Sequence, residues 1–296
     1  MDKLNLMNSF VHVAELQSYT AAASKLNKTK ALMSTHVRQL EEALDVRLIS
    51  RSTRGFTLTE AGQRYYHQAR QILDEVAAME IGLREGEQQM AGRLRLSVPN
   101  TFGEEVMMPF IADFMQRYPA MNIEVELNDR YVDLINSGFD LAIRLGQLQD
   151  SAMVARPIGV SYQVLVAAPK LVADKPTQDP DDIAGLPMIF DTNIRGERTR
   201  WVCHRDDESF PLDLHIVAYV NSAKASGLLA RSGIGLALCP AFAVQSGLDS
   251  GELVELLPEY QFGKIPISAV YPNRQQLSAR ARQFIDEFKA YITPDS

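Results

Sequence analysis

Lys30, Ser34, Thr35 and Arg38 carry the first legible chemistry of this 296-residue chain. Their spacing sets them on one side of a helix from about residue 30 to 44. The apolar stripe Met33, Val37, Leu40 and Leu44 lies on the other side, at i, i+4, i+7 and i+11. A face of cations and hydroxyls suits phosphate oxygens and base edges. Arg51 and Arg54 add long cations within residues 47–59, where apolar and polar residues alternate around Gly55 as in a small hairpin or wing.

The elements that must position these residues lie upstream. Residues 4–18 read as an amphipathic helix, with Leu6, Phe10 and Val13 on one side and Met7, Val11 and Ala14 beside them. Thr20 is expected to cap a short helix over 21–26, and Thr29 the helix that follows the turn Asn27-Lys28-Thr29. Two helices joined by a three-residue turn, the second exposing basic and hydroxyl groups, describe a helix-turn-helix. On this reading Lys30, Ala31, Ser34, Thr35 and Arg38 meet bases or adjacent phosphates. Thr20 and Thr29 hold phosphates at helix N-termini, capping alone being the plainer alternative. Arg51 and Arg54 hold the flanking backbone or minor groove, with a solvated wing as the alternative.

Thr59-Glu60-Ala61-Gly62 opens a long helix to about residue 86. Its length is about 40 Å at 1.5 Å per residue. The narrow stripe Ala69, Ile72, Val76, Met79 and Leu83 is expected to pair with another helix. A hinge is placed at residues 85–89, which have little to bury.

From residue 92 strands and helices alternate. Strands are expected at 94–98, 123–127 and 141–143, with helices at 103–118 and 131–137 between them. This order implies a parallel sheet covered by helices. A second series has strands at 164–167, 188–190, 215–220 and 235–238, a helix at 222–232, then a strand at 267–271 and a helix at 278–291.

The formal charge of −7, from 30 Lys+Arg against 37 Asp+Glu, argues against a polyanionic partner when read as one number. Its distribution argues the reverse. Residues 1–66 carry nine basic and six acidic side chains, a net of +3, and the remainder carries −10. Two cysteines without a Cys-x-x-Cys pair fit a reducing cytosol, and a cytoplasmic location is expected. No apolar run approaches the roughly 20 residues of a membrane helix, so no membrane partner is expected. No cofactor is expected. Enzyme motifs are wanting: the five histidines lack metal spacing, and Cys203-His204 reads as coincidence. Neither Gly-x-Ser-x-Gly nor Gly-x-Gly-x-x-Gly occurs. An enzyme on the α/β body and a non-specific architectural DNA-binding protein are the competing classes; the latter would not need so large a body.

The sequence resembles the LysR-type transcriptional regulators, closely over residues 4–66 and continuously to about residue 290. The resemblance rests on the runs 19–26, 34–41, 48–54 with 58–62, 132–144 and 233–240, in order. It implies an α/β protein with an N-terminal winged helix-turn-helix, a long dimerising linker helix and a bilobal effector domain like periplasmic binding proteins. The expected divisions are 1–59 for the DNA-binding domain, 60–88 for the linker and 92–296 for the effector domain. Within the last, lobe I is 92–160 with 267–296, and lobe II is 161–266. The crossovers fall at 157–160 and 262–266, where proline and glycine suit a hinge. Implied partners are a double-stranded DNA operator, a small-molecule effector, RNA polymerase, and copies of the chain as a homodimer or dimer of dimers (a homotetramer). The recognition helix departs from the family at Lys30, Ala31 and Thr35, where members often carry Gln, Pro or Ser, and Arg. An adenine-type amide contact and one bidentate cation are thereby lost.

An effector cleft is expected at the carboxyl ends of the strands, between the lobes. Asn100, Thr101 and Phe102 follow the first strand and open a helix, a ready anion site. Asn128, Arg144, Phe190, Asp191, Asn221 and Ser222 end or follow other strands. The resemblance places ligand contacts at the same positions. The expected effector is a small organic or aromatic carboxylate. Ordinary capping and turn chemistry is the plain alternative for each polar residue.

Overall fold

The computed structural model describes residues 2–52, 55–85, 90–130, 133–148, 153–193, 201–272 and 277–293. The chain opens with α1 (Lys3–Leu16), α2 (Tyr19–Lys25) and α3 (Lys30–Leu44). A hairpin follows, β1 (Ile49–Ser52) antiparallel to β2 (Gly55–Leu58), in register from Ile49 opposite Leu58 to Ser52 opposite Gly55. Then comes α4 (Glu60–Glu85). The expected apolar stripes close one core: Leu6, Phe10 and Val13 of α1 pack with Ala22, Met33, Val37, Leu40, Leu48 and Ala69.

The cap expected at Thr20 does not form. Thr29 caps α3, its Oγ1 accepting from Leu32 N at 3.2 Å. Thr20, by contrast, lies inside α2, and Ser18 caps that helix, its Oγ accepting from Ala21 N at 3.2 Å. The left-handed Gln17 ends α1, and Ser18 is already extended, so the helix starts early and draws Tyr19 against Phe56 of the wing.

In the body, β3 (Gly92–Val98) leads into a three-residue α5 (Asn100–Phe102), a π-helical turn at Gly103–Met107, and α6 (Met108–Arg117). Then come β4 (Met121–Leu127), α7 (Leu134–Ser137), β5 (Leu141–Leu145), β6 (Met153–Ala167) and α8 (Pro169–Val172). The chain continues with β7 (Pro187–Asp191), a hairpin of β8 (Trp201–Arg205) and β9 (Glu208–Leu212), β10 (His215–Val220) and α9 (Ala223–Arg231). It ends with β11 (Leu236–Pro240), α10 (Ala241–Asp249), β12 (Val254–Leu256), β13 (Lys264–Pro272) and α11 (Ala279–Ile292).

The main sheet runs β10-β7-β11-β6-β13-β5-β3-β4, with β12 paired to β6. It is mixed, which corrects the expected parallel sheet. β7 is parallel to β10 and β11, but β6 is antiparallel to β11, β12 and β13, and β13 to β5. The residues expected as crossovers lie largely in two long paired strands. They are the middle of β6 and the start of β13, paired from Met153 opposite Pro272 to Tyr162 opposite Lys264. The register shifts between Ile267 and Ser268, across from Pro157 and Gly159. Proline donates no ladder hydrogen bond and is tolerated at such an irregularity.

By packing, the chain forms two compact units. One is Met1–Leu96 with Met115–Glu124 and Val132–Leu141; the other is Ser97–Phe114, Val125–Tyr131 and Ala142–Ser296. In the second, Phe284 and Phe288 of α11 meet Phe110 of α6 at 5.3 and 5.1 Å between ring centroids. Among the described residues no helix is long and apolar enough to cross a membrane, and no group of three or more His, Cys, Asp or Glu is placed to hold a metal.

Candidate nucleic-acid interface and effector cleft

The outward face of α3 matches its expected chemistry. Lys30, Ala31 and Arg38 are exposed, and Ser34 and Thr35 are half-buried. Arg38 pairs loosely with Glu42, Nε to Oε1 at 3.6 Å, with both side chains two-thirds exposed. Such a pair is worth little and leaves the guanidinium available. Thr20 and Thr29 are exposed beside this face. Arg51 lies in β1 opposite Phe56, next to the pair that closes the hairpin. Its side chain and all of Arg54 lie outside the described residues, as does the hinge expected at 85–89 beyond Glu85.

Sequence reasoning missed Glu41. Its carboxylate is buried on α3, where Oε1 accepts from Leu48 N at 2.8 Å and Ile49 N at 3.1 Å. Its Oε2 accepts from Arg47 Nη1 at 3.0 Å. A hollow of about 600 Å³ opens alongside, lined by Ser34, Arg38, Glu41, Arg47 and Ser50 among others. On the other side of α3, Ser9 Oγ lies 2.7 Å from His36 Nδ1. Burial, then the charge of Lys28, lowers the His36 pKa.

Within the first unit α4 is tied down near its middle, at two neighbouring residues. Arg70 pairs with Glu15 of α1, and Gln71 Nε2 donates to Asp140 Oδ1 at 2.8 Å. Asp140 Oδ2 accepts from Arg95 N at 2.8 Å, and Arg95 Nη1 donates to Ser137 O at 2.6 Å. His67 packs on Gly138, which has φ +68°; a Cβ there would come within 2.1 Å of His67 Nδ1. Burial, then the charges of Arg95 and Arg93, lowers the His67 pKa. Of the expected seam, Ala69 is spent in the head core, whereas Ile72 and Met79 stand 44% and 61% exposed.

In the second unit the expected effector residues collect at strand ends, most of them buried. The anion site expected at the start of α5 is already filled. Asp129 takes Asn100 N at 2.9 Å on Oδ1 and Asn100 Nδ2 at 2.7 Å on Oδ2. Thr101 and Phe102 are buried, and the Phe102 ring packs edge-on against Phe242 at 5.2 Å. Asn128 is half-buried, its Oδ1 accepting from Arg130 N. Arg144 is buried, with Nη1 on Ile143 O at 2.9 Å and Nη2 on Ser97 Oγ at 3.0 Å. Phe190 is buried against Trp201 and Tyr219.

Asp191 is 4% exposed, and Oδ1 accepts from Asn193 N at 2.9 Å. Burial raises its pKa; the Asn193 bond opposes the shift and the charge of Asp129 adds to it. Asn193, also missed, ties this turn to the exposed Asn221 by donating to its carbonyl at 2.7 Å. Ser222 caps α9 as expected, accepting from Ala225 N. Two residues on, Lys224 Nζ meets Glu104 Oε2 and Glu105 Oε1 at 2.8 Å each, which brings the start of α9 to the turn after α5. Both thiols are buried. Burial pushes Cys203 up and Cys239 up to about 12.

A winged helix-turn-helix followed by an α/β body with buried polar strand ends defines a class of ligand-responsive DNA-binding proteins. Two family models match: the bacterial regulatory helix-turn-helix protein of the lysR family over residues 4–63, and the LysR substrate binding domain over residues 87–292. The chain therefore belongs to the LysR-type transcriptional regulators, which are not enzymes. It is 37% identical over 278 residues to an uncharacterised HTH-type transcriptional regulator of Haemophilus influenzae, covering 94% of this chain and 96% of that one. It is 31% identical to the regulator PtxR of Pseudomonas aeruginosa, over 98% and 93% of the two chains. Among solved structures it is similar to CrgA, a LysR-type transcriptional regulator from Neisseria meningitidis, with a TM-score of 0.60 and 29% identity over 97% and 98%.

Proposed function

We propose that this regulator reads a specific operator through α3 and is switched by a small carboxylate bound in the body. The exposed face of α3 carries the first half, because its cations and hydroxyls stand clear of the core. Lys30, Ala31, Ser34, Thr35 and Arg38 meet bases or adjacent phosphates. Thr20, Thr29, Arg51 and Arg54 hold the backbone around them. The domain boundaries are those expected from sequence, with two copies joined along α4 through Ile72 and Met79. RNA polymerase is the further partner of the DNA-bound form.

For the effector, the buried polar groups at the strand ends support the reading: Thr101, Arg144 and Asp191, with Asn100, Asn128, Asn221 and Ser222 around them. Phe102 and Phe190 supply apolar walls, which suit an aromatic acid. Because Asp129 holds the Asn100 donors, the effector carboxylate either displaces Asp129 or turns to Ser222 and the first amides of α9.

Sequencing genomic fragments bound by the purified protein tests the first half. A shared two-fold motif is expected; even coating of DNA would sink it. Footprinting with carboxylates suggested by the neighbouring genes tests the second half. The footprint is expected to change with effector in the native protein and to stop changing in Thr101→Val. An unaltered response in that variant would sink the placement.

A further inference from the structure

Glu41 is a buried carboxylate on α3, beside the apolar core residues Met33, Val37 and Leu40, whereas the charged Lys30 and Arg38 of the same helix are exposed. α3 ends at the left-handed Asp45, and four residues later β1 begins. The angle between recognition helix and wing must be set across that short connection. The buried amides of Leu48 and Ile49 need acceptors, and one oxygen of Glu41 serves both. Its other oxygen holds Arg47. A buried carboxylate is tolerated when so paired. The two partners differ sharply in exposure: the Glu41 side chain is 9% exposed and that of Arg47 is 80%. Arg47 therefore keeps most of its donors for a ligand in the hollow it shares with Ser34, Arg38 and Ser50.

We infer that Glu41 is the positioning residue of the DNA-reading surface and that Arg47, aimed by it, is a further phosphate contact. Oε1 sets the wing against α3. Oε2 directs the Arg47 guanidinium beside Arg38, where a hollow lined by two arginines and serine hydroxyls accepts one backbone phosphate. The inference rests on the reading that α3 and the wing face the duplex.

Salt-dependent binding of the full chain to its selected operator and to random duplex tests it. Arg47→Ala is expected to weaken both about tenfold and to reduce the slope of log K against log salt by about 0.9, the share of one phosphate. Arg47→Lys should restore the slope. Glu41→Gln keeps an oxygen for the two amides but cannot hold the guanidinium. It should fold with an unchanged thermal midpoint and lose about as much affinity as Arg47→Ala. The double variant should bind no worse than Arg47→Ala alone. An unchanged slope in Arg47→Ala, full additivity in the double variant, or a Glu41→Gln head that does not fold would each overturn the inference. Lys30→Ala and Arg38→Ala are the controls. If both are silent, the underlying reading of α3 fails. If they lose binding while Arg47→Ala does not, only the Glu41–Arg47 assignment fails.

Discussion

On the head, the residues expected to meet a ligand stand in solvent: Lys30, Ala31 and Arg38 on α3, Thr20 and Thr29 beside them. In the body, Thr101, Arg144 and Asp191 are buried, and the last two are bonded to their own surroundings. The difference follows from what each must bind. A duplex is a large, fixed polyanion, so a head need only present groups on a firm support. A small effector must be enclosed, so its site is built by burial, and every buried polar group needs an internal partner until the ligand arrives. The head therefore keeps its chemistry apart from its core, whereas the body builds its chemistry into it.

Mutations that damage one core can break this contrast. Phe284→Ala should have the largest effect, about 3–5 kcal/mol of body stability, because its ring packs on Phe110 and Phe114. DNA binding should survive at temperatures below the lowered calorimetric midpoint; loss of both together would show the regions unfolding as one. Gly62→Ala comes next. A Cβ there would come within 2.0 Å of the Leu48 carbonyl, at the wing's entry. A head-specific loss of about 1–3 kcal/mol and of operator binding is expected, read by thermal melts and band shifts.

Arg144→Met strips Ser97 of its partner. It should cost about 1–3 kcal/mol and abolish the effector response while leaving operator affinity intact in effector-free footprinting. Thr29→Ala removes one cap bond and should cost about 1 kcal/mol, visible as a lower head midpoint. The smallest effect concerns pH. The folded His67 has a pKa below its ordinary 6.5, so its neutral form is favoured in the fold. Its contribution is complete above that value and declines as pH falls toward and through the folded pKa. Thermal midpoints measured from pH 7.5 to 5 should fall in the native chain and less so in His67→Gln.

The legible parts of the chain follow the same contrast. Met33, Val37 and Leu40 repeat at helical spacing and so expose Lys30 and Arg38 by default; the head can be read directly. Ser18 and Thr20 are both good caps, and Ser18 takes the role because the left-handed Gln17 has already ended α1. In the body, α10 (Ala241–Asp249) begins inside the nearly continuous apolar run 233–244, which has no period to read. The β8–β9 hairpin turns on Asp206-Asp207, with Asp206 at φ 53°, a weak turn signal without the usual glycine. Asp129, Asn193 and Glu41 act on partners that are close in space but many residues away along the chain, and no spacing rule points to them. Glu41 sits beside Leu40 and reads as one more charge on a charged helix.

The two buried thiols also bear on which signals the protein can hear. Peroxides and alkylating agents react with thiolate, not thiol. At pH 7 a group titrating at about 12 is ionised in roughly one molecule in 10⁵. Cys239 should therefore stay reduced through an oxidant pulse that consumes ordinary surface thiols, and the native protein should take up iodoacetamide only after unfolding. Cys239 would then pass no oxidant signal to the operator.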